Sequence, residues 1–223
     1  MIYHMLSALY NSIDGRIMVR YTGPKNRLAR RFGANVFGKS RNPSAHKQNP
    51  PGVHGAKKKK KSDYGVQLEE QQKLRACFGM ITRKQLVRYY KESVLQSENT
   101  QEAFLQRLET RLDSIVYRLK FALTPFHAQQ LVAHGHILVD GKKVDVRSFQ
   151  VKPGMKISLH EQSKSNGHIK QSLERAAVVV PEYLSLDAVK MCGELVTLPH
   201  ADQIPLPLVV NVAVVCEFLA YTT

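Results

Sequence analysis

Thirteen lysines and arginines lie between residues 18 and 61, with no aspartate or glutamate among them. Cations at that density repel one another unless a polyanion lies against them, and a nucleic-acid backbone is the polyanion such an arm fits. Arg20, Lys25, Arg27, Arg30 and Arg31 open the arm, and a five-lysine run at residues 57–61 closes it, with Lys57, Lys58 and Lys59 as candidate phosphate contacts. Lysines in such a run act as point charges, so they supply affinity and salt sensitivity rather than sequence choice. Further on, Arg111 and Arg118 are seven residues apart, two helical turns, and share a face expected to meet solvent or a partner. His134 and His136 flank a glycine but have no third ligand of matching spacing, so no metal is expected there. Asp113, among arginines, reads as an ion-pair partner rather than a catalyst.

Outside the arm the charge nearly balances: residues 62–223 hold 19 basic and 17 acidic side chains within a chain of net charge +15. A basic arm on a neutral body points to nucleic acid. A membrane surface is disfavoured, because the arm lacks the periodic apolar face of an interfacial helix. No run reaches the roughly 18 apolar residues of a membrane span. Cys77, Cys192 and Cys216 are odd in number and far apart, which argues against a disulfide scaffold or zinc ribbon and for a reducing cytosol. Residues 1–17 have neither the basic start nor the long apolar centre of a signal peptide, and Met18, where the arm begins, is the expected true or alternative start.

The elements that must hold these groups follow from local signals. In the arm, Pro43, Pro50, Pro51, Gly52 and Gly55 spoil any long helix, so it is expected to be extended and to order on a partner, with one helical turn at residues 26–32. Thr82 with Gln85, and Asn99 with Glu102, are capping signals for two helices, the first carrying Leu86, Tyr90 and Val94 on one side and the second Phe104, Leu105 and Leu108. Leu112, Ile115, Val116 and Leu119 form the stripe of a further helix, either continuous with the previous one or bent near Arg111. Thr124, Pro125 and Gly135 delimit another helix, with Ala128, Leu131 and Val132 inward and Gln129, Gln130 and His134 outward. Asp140-Gly141 predicts a type I′ hairpin between residues 137–139 and 142–144, and Pro153-Gly154 a type II turn before a third strand. The outward face of this module carries Arg111, Arg118, Gln130, His134 and Lys142. The apolar run at 209–219 is open between strand, favoured by its β-branched residues, and helix.

The order RLD at 111–113, YR at 117–118, QQLV, HGH, VDG and KPG at 152–154 resembles the small α/β RNA-binding module found in ribosomal and RNA-modifying proteins. RYTGPKNRLARRFG near Arg20, PPGVHG at 50–55, SDYGVQLEEQQKLR at 62–75, PEYL at 181–184 and VVCEFL at 214–219 resemble the bacterial S-four family of small-subunit ribosomal proteins. The resemblance runs from Met18 to the C-terminus. Where the module's family usually has glycine and asparagine, this chain has Lys120 and Asp140, and where it usually has basic residues, this chain has Pro125 and Gln129 nearby, so those positions are not carried over as contacts.

The resemblance implies direct binding of small-subunit rRNA at a multi-helix junction in its 5′ part, a start to subunit assembly and support of translational accuracy. It also implies contact with neighbouring small-subunit proteins and with its own messenger, in the cytoplasm, with no cofactor, metal or small-molecule substrate. Tyr64, Lys73 and Arg75 are further contacts by resemblance, and Tyr117 and His136 lie within its motifs. The expected fold is α+β: an extension at 1–17, a basic extended arm at 18–61, a helical domain at 62–110, the RNA-binding module at 111–175 with two helices on a small, mainly antiparallel sheet, and strands and tail at 176–223 packing back on the body. An RNA-modifying enzyme built on the same module is disfavoured, because no room remains for a catalytic domain. A free-standing RNA chaperone is the other alternative.

Overall fold

A computed structural model of the chain describes residues 21–39, 41–45, 47–57, 60–96, 99–174 and 179–222. Arg20, Lys58, Lys59 and the start expected at Met18 lie outside the described residues.

Three helices make the first half of the body: α2 (Asp63–Cys77), α3 (Arg83–Gln96) and α4 (Thr100–Glu109). Each starts on a side-chain cap. The Ser62, Thr82 and Asn99 oxygens accept from the backbone N–H groups of Gly65, Gln85 and Glu102, donors that the first turn leaves unpaired. Their core contains Leu74, Leu86, Tyr89, Phe104 and Leu108. On α3 the buried ring is Tyr89, while Val94, expected on the inner stripe, is exposed. The terminal run is a helix, α9 (Val212–Thr222), whose Val215 and Leu219 complete this core. Packing against α2 overrides the strand preference of its β-branched residues.

The second half begins at a bend. Helix α4 ends at Glu109 and α5 (Leu112–Arg118) starts after Arg111, whose backbone bridges to Gln150 in antiparallel fashion. Helix α6 (Pro125–Ala133) follows, N-capped by Thr124, with Gly135 in the left-handed conformation just beyond its end. Leu112, Ile115, Val116 and Leu119 are fully buried, as their spacing requires, against Ala128 and Val132 of α6. The strands β1 (Ile137–Val139) and β2 (Lys142–Lys143) form the hairpin, with Asp140 and Gly141 both at positive φ, the signature of a type I′ turn.

Strand β3 (Lys156–Leu159) pairs with β1, and two strands from the far end of the chain, β4 (Leu184–Asp187) and β5 (Cys192–Leu195), extend the sheet to the order β2-β1-β3-β5-β4, antiparallel throughout. Gly193 of β5 presses against the Leu119 side chain so closely that a Cβ would collide with it. Between β3 and β4 lie two short helices, α7 (Glu161–Lys164) and α8 (Gly167–Glu174).

The arm is more ordered than its composition suggests. Helix α1 (Lys25–Phe32) precedes Val36 and Phe37, which are buried against Ala76 of α2, and the Phe37 ring lies 5.0 Å from that of Phe126 on α6. Two apolar residues in a polar segment are enough to dock it on both halves of the body.

Arg111 and Arg118 are not on an outward face, which corrects the expectation from their spacing. Both are buried. Arg111 donates to both carboxylate oxygens of Asp113 (2.9 and 2.7 Å) and to the Tyr89 hydroxyl (2.9 Å). Arg118 donates to both oxygens of Glu109 (2.6 and 3.2 Å), and the Tyr183 hydroxyl donates to the first of these at 2.8 Å. Burial pulls the Arg118 guanidinium down, but the adjacent Glu109 carboxylate outweighs it and the net shift is upward. Burial, then Glu109, pushes the Tyr183 hydroxyl up. Seven-residue spacing shows that two side chains share a helix face but not whether a neighbouring element covers it; here α4 and the segment before β4 do. Gln129 is corrected likewise: it is buried and donates to the Gly79 carbonyl at 3.0 Å. Because the pair is buried, Glu109→Ala leaves an unpaired guanidinium in the interior, and urea unfolding is expected to show a loss of about 3–5 kcal/mol. A loss near zero would mean that the pair is not the joint between the halves.

Candidate nucleic-acid interface

The remaining candidate cations fall into two groups, those tied into the fold and those left at the surface. On α1, Arg27 and Arg31 are exposed and four residues apart, on one side of the helix. Arg30 instead turns back, donating to the Asn49 carbonyl at 2.8 Å and to that of Lys47 at 3.3 Å, and so pins the following loop to the helix. Lys25 places its ammonium 3.9 Å from the centre of the Phe126 ring, a cation–π contact between arm and module. Lys57 is exposed, and Lys61 pairs with Glu69.

On the helical half, Tyr64 is 60% exposed and meets the Phe218 ring edge-on at 5.5 Å, so it is a surface ring rather than a core one. Lys73 donates to one oxygen of Glu70 at 2.5 Å, while the other accepts from the Asn211 backbone at 2.9 Å, fastening the tail to α2. Arg75 donates to the Ile81 carbonyl at 2.6 Å, and burial, then the neighbouring Arg83, lowers its pKa.

Gln130 and His134 are exposed and four residues apart on α6, and His136 and the exposed Lys142 follow at the start of β1 and at the hairpin. His136 exchanges a hydrogen bond with the Ser163 hydroxyl through Nδ1, at 2.9 Å. Tyr117 is half-buried, with its hydroxyl against Gly38 of the arm, and so ties the two together. Where arm and module meet, an open cleft of about 840 Å³ is lined by Asn26, Lys39, Arg41, Thr124, Gln171 and Glu174, among others. The Lys39 ammonium donates to the Asn26 side chain at 2.6 Å on this wall.

Residue selection from sequence passed over Lys39, Arg41 and Lys143. The first two stand in the acid-free arm and the third beside Lys142, so charge density alone pointed to them. Among the described residues no three His, Cys, Asp or Glu side chains are grouped to hold a metal ion.

A basic arm docked on a helical half and an α/β half, with arm and module lining a cleft that holds Lys39 and Arg41, defines an RNA-binding protein of the ribosomal type. Residues 20–109 match the model of the ribosomal protein S4/S9 N-terminal domain and residues 110–157 that of the S4 domain, the two meeting at the bend between α4 and α5. Small ribosomal subunit protein uS4 of Chlamydia trachomatis serovar L2 is 61% identical over 209 residues, and that of Protochlamydia amoebophila 58% over 206; each match covers 92% of this chain and the whole of the relative. The uS4 of Chlamydia pneumoniae is 57% identical with the same coverage. The chain belongs to the uS4 family of small ribosomal subunit proteins.

Arg27→Gln and Arg31→Gln are each expected to reduce the slope of log affinity against log salt for RNA by about one, without changing proteolysis of the arm. Arg30→Gln is expected to open cleavage at Lys47, which limited trypsin digestion reads directly. Equal cleavage in all three variants would contradict this division of roles.

Proposed function

We propose that the chain is a structural, non-catalytic constituent of the small ribosomal subunit that binds small-subunit rRNA directly, in the cytoplasm, at a multi-helix junction of the 5′ domain. The observation that carries the reading is a basic arm seated on the module, where Lys39 and Arg41 of the arm line one cleft with Thr124, Gln171 and Glu174 of the module, on a body whose halves are joined by buried ion pairs. A-form RNA hides its base edges in a deep major groove, so a protein of this kind reads backbone shape and 2′-hydroxyls. The body supplies a fixed surface for that shape, and Arg27, Arg31, Arg41, Lys57 and Lys142 supply phosphate contacts with counterion release. Gln130 and Tyr64 add a hydrogen-bonding and a stacking group. Binding early to a junction holds its helices in one arrangement, which is how the protein would start subunit assembly and, through contacts with neighbouring small-subunit proteins, support accurate decoding. A messenger that folds into a similar junction would engage the same face.

An RNA-modifying enzyme is disfavoured by a specific contact. Both oxygens of Asp113, the carboxylate nearest the module's motifs, are committed to Arg111 and buried, so it is not available as acid, base or nucleophile.

Replacing the lysines at 57–61 by glutamine is expected to lower the salt slope of binding to a 5′-domain rRNA fragment by up to about five, one for each phosphate left without its cation, while preference for the folded junction over unstructured RNA persists. Loss of that preference along with the slope would show that the arm is merely adhesive and the body reads nothing.

A further inference from the structure

Five of the nine histidines lie close together on the module, on α6 and its C-cap, before β1, after β3 and on α8. His127 and His134 are seven residues apart on α6 and its C-cap, two turns along one face, with Gln130 between them. The rings of His134 and His136 are 6.0 Å apart, and those of His127 and His168 on α8 are 6.4 Å apart. His160, at the end of β3, donates its backbone N–H to the His136 carbonyl at 2.9 Å. Thr124, one turn before His127, and Gln171, one turn after His168, line the cleft that holds Lys39 and Arg41. Lys143 packs across Gly135, and its cation acts on the His136 ring.

We propose that His127, His134, His136, His160 and His168 line a phosphate-binding site, and that His127 and His136 take up protons there as the RNA backbone docks. The proposal rests on the rRNA-binding reading above and adds to it a proton linkage. Burial, then His134, Lys143 and His160, lowers the pKa of His136; burial, then His168 and His136, lowers that of His127. In the free protein these two rings are thus neutral at pH 7, and charging either one works against its neighbours. No carboxylate acts on either ring among the described residues.

The acids on the surrounding elements are otherwise occupied or set apart. Glu161 on α7 is paired with Lys164 at 2.6 Å, Asp140 at the hairpin accepts from the Lys156 backbone at 2.9 Å, and Asp113 and Glu109 beneath α5 are bound to Arg111 and Arg118. Glu174 is exposed at the end of α8, on the cleft wall. Lys142, Lys156 and Lys170 are the remaining cations on β2, β3 and α8, and all are exposed. A phosphate brought to this face introduces negative charge that the cluster lacks. An opposite charge within about 4–6 Å favours the protonated imidazole, so the bound value rises above the free one. The extra affinity is then fully present below the free pKa and is lost as pH rises through the bound pKa.

The test uses the full chain and a 5′-domain rRNA fragment at fixed ionic strength. Affinity is measured from pH 5.8 to 8.0, and calorimetry at pH 6.5 in buffers of different ionisation enthalpy counts protons. Proton uptake is expected, with affinity falling about tenfold per pH unit for each net proton bound. His127→Gln combined with His136→Gln is expected to flatten the pH profile. His134→Gln with His168→Gln, both at exposed positions, is expected to reduce it with an unchanged unfolding midpoint. Tight junction-specific binding with a flat profile and no proton uptake would overturn the proposal and leave the rRNA reading intact. A profile unchanged in both double variants would also overturn it, since the protons would then go elsewhere. Absence of specific binding at every pH would bring down the rRNA reading and this proposal with it.

Discussion

The buried contact of Arg118 with Glu109 and Tyr183 fixes where everything else in this protein can stand. Glu109 ends the helical half, Arg118 ends α5 of the module, and Tyr183 leads into β4, the outermost strand of the sheet. A single carboxylate therefore joins three elements from distant parts of the chain. Beside it, Arg111 reaches from the bend to Tyr89 on α3. Buried charges are expensive to desolvate and directional once paired, so such a joint tolerates few alternative geometries. Two halves held only by apolar contact would have no comparable constraint on their angle.

That rigidity has a functional consequence. Shape recognition of folded RNA depends on the relative positions of contacts, and the candidate contacts of this protein stand on the arm, on α6 and on the hairpin. The arm is not an independent tether, because Phe37 against Phe126, Lys25 over the same ring and Tyr117 against Gly38 seat it on the module. The body thus presents one surface with an edge supplied by the arm.

Local chemistry made much of the module legible in the sequence. Asp140-Gly141, Thr124 with Pro125, and Gly135 each specify a backbone conformation through their own side chains or lack of one, and the structure has them at those places. The inward stripe of α5 was legible for the same reason. Arg111 and Arg118 were misplaced because amphipathic spacing shows which residues share a face and not what packs on it. Asp113, two residues from Arg111, reads as an ion-pair partner from the sequence, whereas Tyr89, 22 residues from Arg111, and Tyr183, 74 residues from Glu109, lie beyond any local pattern. Strands were expected at 176–223, but their place in the sheet was hidden by the same distance: β5 pairs with β3 through Lys156 and Glu194, across two intervening helices. In α9 the β-branched residues gave the wrong local preference, and burial against α2 decided the outcome. Val36 and Phe37 were masked by the polar composition around them, although two adjacent large apolar residues in an otherwise polar arm are the signal of an anchor. Of the surface candidates, Gln130 and His134 share one side of α6 and His134 lies beside His136, as their spacing suggests; the clustering of His160 and His168 with them needed the fold.

Hydroxyl-radical footprinting of the intact small-subunit rRNA with the full chain, carried out across increasing salt, tests the central claim most directly. A rigid body that reads junction shape predicts protections confined to one 5′-domain junction, with those from the arm fading first and those from the body persisting. Protection spread over the whole molecule and fading uniformly would contradict it.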